Sequence, residues 1–376
     1  MNILFILQYY KIGGVQTVTH VLANKFVQEG HNCNVLTLTP SKGEEIYPIL
    51  NKKIGVSVID THILSPKETI IQLRNFLIDK SVDVIINQSG HLYRTTALIK
   101  NASKDLKIKI ISVLHNTPSF GLNFRYKHNI TGKLEYYKNI IRLAYFYRKV
   151  YKDSDLYILL SDSFISEFEN ISRLKNLKKI RVISNPITID NEDFVYNFER
   201  KEKQIIFVGR LEYTQKRIER ILNVWSKIQS EYKDWTLTIV GDGPDMLRLK
   251  KITANNNIQS VEFVGFQNPK DFYKKASILL LTSDYEGFPL TVTESMSFGV
   301  IPVVYGSYSA VYDIITDGYS GIISKPNNGF DEEDFVNKLK TLLSSESKRR
   351  EFSQNALNDS RKYSLNNICE KWRKIL

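Results

Sequence analysis

The chain has 376 residues, of which 42% are hydrophobic and 24% charged, enough for two globular domains with a core each. Its two cysteines, Cys33 and Cys369, stand at opposite ends, which excludes a disulfide framework and a cysteine metal site and suits a reducing cytoplasm. The net charge of +12 points to nucleic acid, anionic lipid or a phosphorylated substrate, or else reflects only the lysine codon usage of an AT-rich genome.

The opening run, residues 3–7, is apolar, with no basic flank and no small-residue cleavage site. It reads as a buried strand and not as a signal peptide. Gly13-Gly14 follows it and opens a helical pattern over 15–29. Glycines there let backbone approach a ligand, and the helix start offers free N–H groups. The third glycine of a dinucleotide fingerprint is absent. Further apolar runs are expected to be strands at 33–38, 83–86, 108–114, 156–160 and 181–183, with a helix over 70–80. His115 follows the run 108–114, at the end of a parallel strand where such sheets hold ligands. It can hydrogen-bond a sugar hydroxyl or a phosphate; His91 has a similar address.

Residues 120–152 are basic and aromatic: eight cations, among them Arg125, Lys127, Lys138 and Arg142, stand against the single acid Glu135. Interleaved Tyr and Phe suit a membrane surface or a phosphate-bearing acceptor. The alternative is an aromatic stripe turned to the core with a solvated basic face. Asp153-Ser-Asp155 imitates a metal-binding pair but reads as a polar helix end, and Asp60-Thr-His62 lacks a third ligand. No metal site is expected.

A polar linker composition over 185–203 divides the chain. The second half repeats the alternation, with strands expected at 204–208, 237–240, 261–264, 278–281 and 301–304. Short apolar runs separated by helices imply parallel sheets covered on both faces. Two doubly wound domains fit better than one barrel, because the polar gap interrupts the pattern. They are expected at 1–190 and 200–360, and residues 363–376 have the apolar spacing of a last helix.

The motifs concentrate in the second half. Gly209-Arg210-Leu211 ends a strand, and Lys216 lies six residues beyond Arg210. A forked guanidinium and a point-charge ammonium in one loop suit a diphosphate and the charge that grows on it as it leaves. Gly241-Asp-Gly-Pro244 is a tight turn into a helix. In Glu286-Gly287-Phe288-Pro289-Leu290…Glu294, glycine and proline break the chain before a helix over 290–298. Loop N–H groups then face phosphates, Glu294 can accept from ribose hydroxyls, and Glu286 can reach a sugar hydroxyl or the reacting centre.

This set, with Phe263-Val-Gly265 and Asn185-Pro186, resembles glycosyltransferase family four of the GT-B fold, whose two Rossmann-like domains face each other across a cleft. The resemblance covers nearly the whole chain. It implies a retaining transfer from a nucleotide sugar, a UDP-sugar foremost, to a saccharide acceptor in surface polysaccharide synthesis, the acceptor being lipid-linked. It also implies that the last helix, 363–376, crosses back to the first domain. With the cysteine usage and the basic segment it leads to the expectation of a cytoplasmic enzyme peripheral to the membrane. Nucleic acid is not expected as a partner, because the basic residues gather in one helical region without a nucleic-acid motif. On the family resemblance, Arg210 and Lys216 bind the donor phosphates and Glu294 the ribose. Glu286 and His115 lie near the donor sugar, and Gly13 and Gly14 near the pyrophosphate. Two departures stand out: Lys216-Arg217 replaces a usual Lys-Gly, and Gly306-Ser-Tyr-Ser-Ala-Val-Tyr-Asp313 replaces Gly-Gly-x-Pro-Glu. A nucleotide-sugar 2-epimerase or a non-catalytic partner subunit are the rival readings.

Overall fold

The computed structural model describes residues 1–10, 13–40, 51–122 and 130–376. The chain divides into two compact units, Met1–Thr188 with Leu365–Leu376, and Ile189–Ser364.

The first unit contains β1 (Asn2–Leu7), α1 (Gly14–Gln28), β2 (Asn32–Thr37), β3 (Gly55–Val58), α2 (Pro66–Asp79), β4 (Val84–Asn87), α3 (Tyr93–Ala102), β5 (Lys109–Leu114), α4 (Ile130–Asp153), β6 (Leu156–Leu159), α5 (Ser163–Ser172) and β7 (Ile180–Val182). Its seven strands run in the order β3-β2-β1-β4-β5-β6-β7, every pair parallel. The interior strands read as unbroken apolar runs because both sheet faces are covered. β3 escaped the sequence reading: it is an edge strand of Gly-Val-Ser-Val whose valines are exposed, so it lacks a hydrophobic signature. Helix α2 starts four residues earlier than its apolar pattern suggests. Ser65 accepts from the Glu68 N–H and Glu68 accepts from the Ser65 N–H, a reciprocal cap with Pro66 in the first turn.

The second unit contains β8 (Gln204–Val208), α6 (Ile218–Ile228), β9 (Thr236–Val240), α7 (Met246–Asn255), β10 (Val261–Gly265), α8 (Lys270–Lys275), β11 (Ile278–Leu281), α9 (Leu290–Met296), β12 (Ile301–Tyr305), α10 (Val311–Ile314), β13 (Ile322–Ser324), α11 (Glu332–Leu343) and α12 (Glu346–Ser360). Its sheet has the order β10-β9-β8-β11-β12-β13, again all parallel. Helix α9 is shorter than 290–298, because Gly299 turns left-handed at φ +72° after Ser297.

The last helix, α13 (Leu365–Arg373), packs in the first unit, with Ile368 and Trp372 buried. Arg373 forks onto Glu29 at 2.8 and 3.1 Å, and Lys109 donates to the Ile375 carbonyl. Tyr363, expected to begin this helix, belongs to a 3-10 turn of the second unit.

In both sheets the strand order reverses direction once, between β1 and β4 and between β8 and β11. The crevice beyond the carboxyl ends of such strand pairs is where doubly wound sheets take ligands.

Candidate active site

In the second unit the loops after β8, β9 and β10 are stitched together. The Gly209 N–H donates to Val240 O, and the Gly241 N–H donates to Gly265 O. Gly241 sits at φ +143°, and a Cβ there would lie 1.9 Å from Gly209 O. No side chain fits, so this glycine sets the close approach of the two loops.

The loop after β8 presents Arg210 and Lys216, and the loop after β11 presents Glu286. Lys216 Nζ donates to Glu286 Oε1 at 2.6 Å, with both side chains largely buried. Gln215 Nε2 donates to the other oxygen, Oε2, at 3.2 Å and to Tyr285 O at 3.1 Å. Glu286 is therefore fixed at both oxygens. Arg210 is the opposite case: its side chain is 71% exposed, with Glu212 at 3.8 Å as a loose neighbour.

A second ion cluster braces the same two loops. Asp284 accepts from Arg217 Nη1 at 3.0 Å and pairs with Arg220 Nη2 at 2.7 Å. Arg217 also donates from Nε to Glu219. Its guanidinium lies 4.3 Å from the centre of the Tyr213 ring, and Arg248 lies 4.4 Å from the same ring. Arg217 adopts φ +53°, ψ +46°, the left-handed region where the family pattern carries glycine. The departure at this position thus preserves the turn and adds a clamp. Asp284, Arg217, Arg220 and Gln215 had no assigned role in the sequence reading, because only the fold makes them neighbours.

Glu294 lies about one turn into α9, buried, and accepts from the Tyr273 hydroxyl at 3.4 Å. Phe288 is buried too, against Tyr363, at 5.2 Å between ring centroids. Its side chain packs the loop, so what it can offer a ligand is backbone. Around this loop three buried hydroxyls, of Ser283, Thr291 and Tyr308, make no hydrogen bond among the described residues. Buried polar groups are usually satisfied, so these three hydroxyls are open to a ligand or to water. Burial, with the Glu286 charge nearby, holds the Tyr308 phenol well above its ordinary value. Tyr308 lies in the 306–313 segment flagged as a departure, which was the only signal for it.

In the first unit Gly14 is the first residue of α1, and Gly13 stands at its N-cap with no side-chain cap bond. A Cβ on Gly13 would meet Gln16 Oε1 at 2.9 Å. Gly90, after β4, is crowded more severely, with Val113 O 2.4 Å from a built Cβ. His115 follows β5 and places Nε2 2.5 Å from Gln88 Oε1. Gln88 in turn donates to Thr19 Oγ1 at 3.1 Å. Burial, with His91 nearby, lowers the His115 pKa to about 3. His115 is therefore neutral at physiological pH and is a poor proton acceptor. A small pocket beside it is lined by Val18, Leu22, Asn185 and Trp372, so α13 helps to wall the site.

Arg125 and Lys127 lie outside the described residues. On α4, Leu134, Tyr137, Ile141 and Tyr145 are 65, 62, 70 and 48% exposed. Their spacing places them on one face of the helix, and that face is not turned to the core. Lys133, Lys138, Arg142 and Lys149 are exposed beside them. Other aromatics of the segment do turn inward: Tyr147 is buried and donates to Pro118 O at 2.6 Å. Asp155 accepts from the Ile110 N–H at 2.7 Å, at the amino end of β6 and away from the ligand end of the sheet. Asp60 accepts from the His62 N–H at 2.9 Å, a local turn.

The family model described as Glycosyltransferase Family 4 matches residues 12–191, and the one described as Glycosyl transferases group 1 matches 188–359. An uncharacterised glycosyltransferase of Haemophilus influenzae is 26% identical over 99% of this chain and 98% of its own. A Campylobacter jejuni relative is named as an alpha-1,4-N-acetyl-D-galactosaminyltransferase acting on a saccharide joined to PP-undecaprenol. It is 26% identical over 100% of this chain and 98% of its own. Among solved structures, the lipopolysaccharide outer core galactosyltransferase WaaB superposes with TM-score 0.72 at 20% identity, covering 100% of both chains. Anabaena HepE in complex with UDP-glucose superposes with TM-score 0.76 at 14% identity, covering 100% of this chain and 99% of that one. With matched models running in succession from residue 12 to 359 and both sheets wound alike, the chain belongs to glycosyltransferase family four and has its GT-B fold of two Rossmann-like domains.

Proposed function

We propose that this glycosyltransferase moves a hexose or N-acetylhexosamine from a UDP-sugar to a lipid-linked saccharide in surface polysaccharide synthesis, with retention and without a metal. The observation that carries the donor half is the pairing of Lys216 with Glu286 beside a solvated Arg210, at the strand reversal of the second sheet. An ammonium has three donors, and Glu286 takes one of them. The remaining two suit phosphate oxygens, with Arg210 as a second, forked cation. These charges can do the work that a divalent ion does elsewhere, stabilising the diphosphate as it leaves.

In the reaction the bond from the anomeric carbon to the donor phosphate breaks. The bond from the acceptor oxygen forms on the same face, and the departing phosphate takes the hydroxyl proton. No side chain acts as a strong base, which agrees with a His115 held neutral by burial. Glu286 orients the sugar and Glu294 the ribose.

The acceptor half rests on α4. An exposed apolar and aromatic face edged by lysine and arginine suits the surface of an anionic bilayer. Among the described residues no helix is long and apolar enough to cross a membrane. We place the enzyme on the cytoplasmic face, where a polyprenyl-linked acceptor like that named for the Campylobacter relative can be reached.

The test is a thermal-unfolding screen of nucleotide sugars, followed by transfer assays with excess chelator. Ligand at 100 times its Kd stabilises a fold by roughly 2.7 kcal/mol, a readable shift. UDP-sugars are expected to raise the transition and transfer to survive chelation. No shift with any nucleotide sugar sinks the donor reading, and complete loss on chelation sinks the metal-free one.

A further inference from the structure

The contacts behind His115 fix which of its nitrogens carries the proton. Thr19 has one hydroxyl hydrogen, and Oγ1 donates it to Val15 O at 2.8 Å. Towards Gln88 that oxygen can then only accept. Gln88 accordingly turns Nε2 to Thr19, at 3.1 Å, and Oε1 to His115. An amide oxygen only accepts, so the His115 nitrogen that faces it, Nε2, bears the hydrogen. The relay stands on rigid parts. Thr19 is fully buried on α1, and Gln88 is buried just past β4, its N–H bonded to Ile6 O of β1 at 2.9 Å.

We infer that Thr19 and Gln88 are positioning residues that hold His115 as its Nε2–H tautomer and so present Nδ1 as a hydrogen-bond acceptor. The ligand group this selects is a hydroxyl, which can donate, and not a phosphate oxygen, which cannot. Of the two partners the sequence allowed for His115, the relay keeps the hydroxyl and removes the phosphate. His91 is the titratable neighbour that couples to His115, and its own pKa is lowered by burial, so it too is neutral near pH 7. The hydroxyl half of this inference rests on the proposed sugar transfer; the tautomer half does not.

The test uses the full chain, labelled with nitrogen-15 at histidine, and reads the tautomer by long-range proton–nitrogen NMR. The His115 signals are assigned by their loss in His115→Asn. Wild type is expected to show a protonated Nε2 and a lone pair on Nδ1. Thr19→Val, which lets the Gln88 amide turn over, and Gln88→Leu, which removes it, each give a mixture. If Gln88→Leu does not fold, the comparison of wild type with Thr19→Val still decides. In transfer with UDP-sugar, loss of the hydroxyl bond in Gln88→Leu is expected to lower kcat about tenfold, as for one hydrogen bond, and Thr19→Val, which leaves part of the population in the Nε2–H form, to lower it less. A protonated Nδ1 in wild type, or a pattern indifferent to Gln88→Leu, overturns the inference even where transfer is intact. A protonated Nε2 in a protein that transfers no sugar leaves the relay standing and removes the proposed function.

Discussion

Arg217 and Asp284 are joined at 3.0 Å, and through that pair the loop after β8 is fastened to the loop after β11. Each loop carries half of the Lys216–Glu286 contact, so the outer pair ties together the two loops that form the inner one. The residue that makes the clamp sits in a left-handed conformation that costs a non-glycine side chain about 1–2 kcal/mol.

Arg217 therefore has two separable effects. Arg217→Ala keeps the backbone cost and loses the clamp, whereas Arg217→Gly loses the clamp and relieves the backbone. Gly is expected to be the more stable of the two variants by about 1 kcal/mol, read from denaturant midpoints. Both should raise KM for the donor, because the bond from Arg217 that ties the loop after β8 to Asp284 is lost. An alanine variant as stable as the glycine one would show that the left-handed turn relaxes.

Arg210 and Lys216 should part company in stability. Arg210 is largely solvated, so Arg210→Ala is expected to leave the melting temperature within experimental error and to lower kcat by about 10²–10³, the loss typical of a transition-state charge donor. Lys216→Ala leaves the buried Glu286 without its cation and should destabilise by about 3–5 kcal/mol as well as abolish transfer. Adding Glu286→Gln to it removes the uncompensated charge and should restore stability without restoring transfer. A double variant no more stable than the single one would show that the pair contributes nothing to the fold.

His115 provides a pH signature. Its pKa falls from the ordinary 6.5 to about 3 on folding, chiefly through burial. The unfolded chain thus takes up a proton below about pH 6.5 that the folded chain refuses until about pH 3. Stability is complete above pH 6.5 and declines through that window as pH falls. Unfolding measured from pH 7 to pH 4 should fall less steeply in His115→Asn than in wild type. Equal slopes would mean that His115 titrates normally in the folded state.

The sheets were legible because parallel strands buried on both faces are written as unbroken runs such as Ile-Leu-Leu-Leu in β11. β13 was passed over although β7, also of three residues, was read, and β3 had no apolar core side. Arg210, Lys216, Glu286 and Glu294 could be named because each lies within a contiguous motif. The relay from Thr19 through Gln88 to His115 could not, since its members stand 69 and 27 residues apart and meet only when β4 lies between β1 and β5. The tautomer follows from hydrogen-bond partners, which no spacing encodes.

The exposed face of α4 separates charge from apolar burial in its expected binding. Flotation with vesicles containing anionic lipid should recover the full chain at low salt, and neutral vesicles should recover much less. Each lysine or arginine near such a surface contributes about 1 kcal/mol. Lys138→Glu with Arg142→Glu is thus expected to weaken binding by well over tenfold, in a manner that added salt mimics. Leu134→Ser with Ile141→Ser leaves every charge in place and removes the inserting side chains. It should weaken binding at all salt concentrations. Because all four side chains face solvent, neither pair should move the melting temperature. Transfer to a short, soluble saccharide should be unchanged in both, while transfer to the same saccharide on a polyprenyl carrier in vesicles should fall. If both variants lost activity on the soluble acceptor as well, α4 would belong to the chemistry of the site and not to its delivery to a membrane.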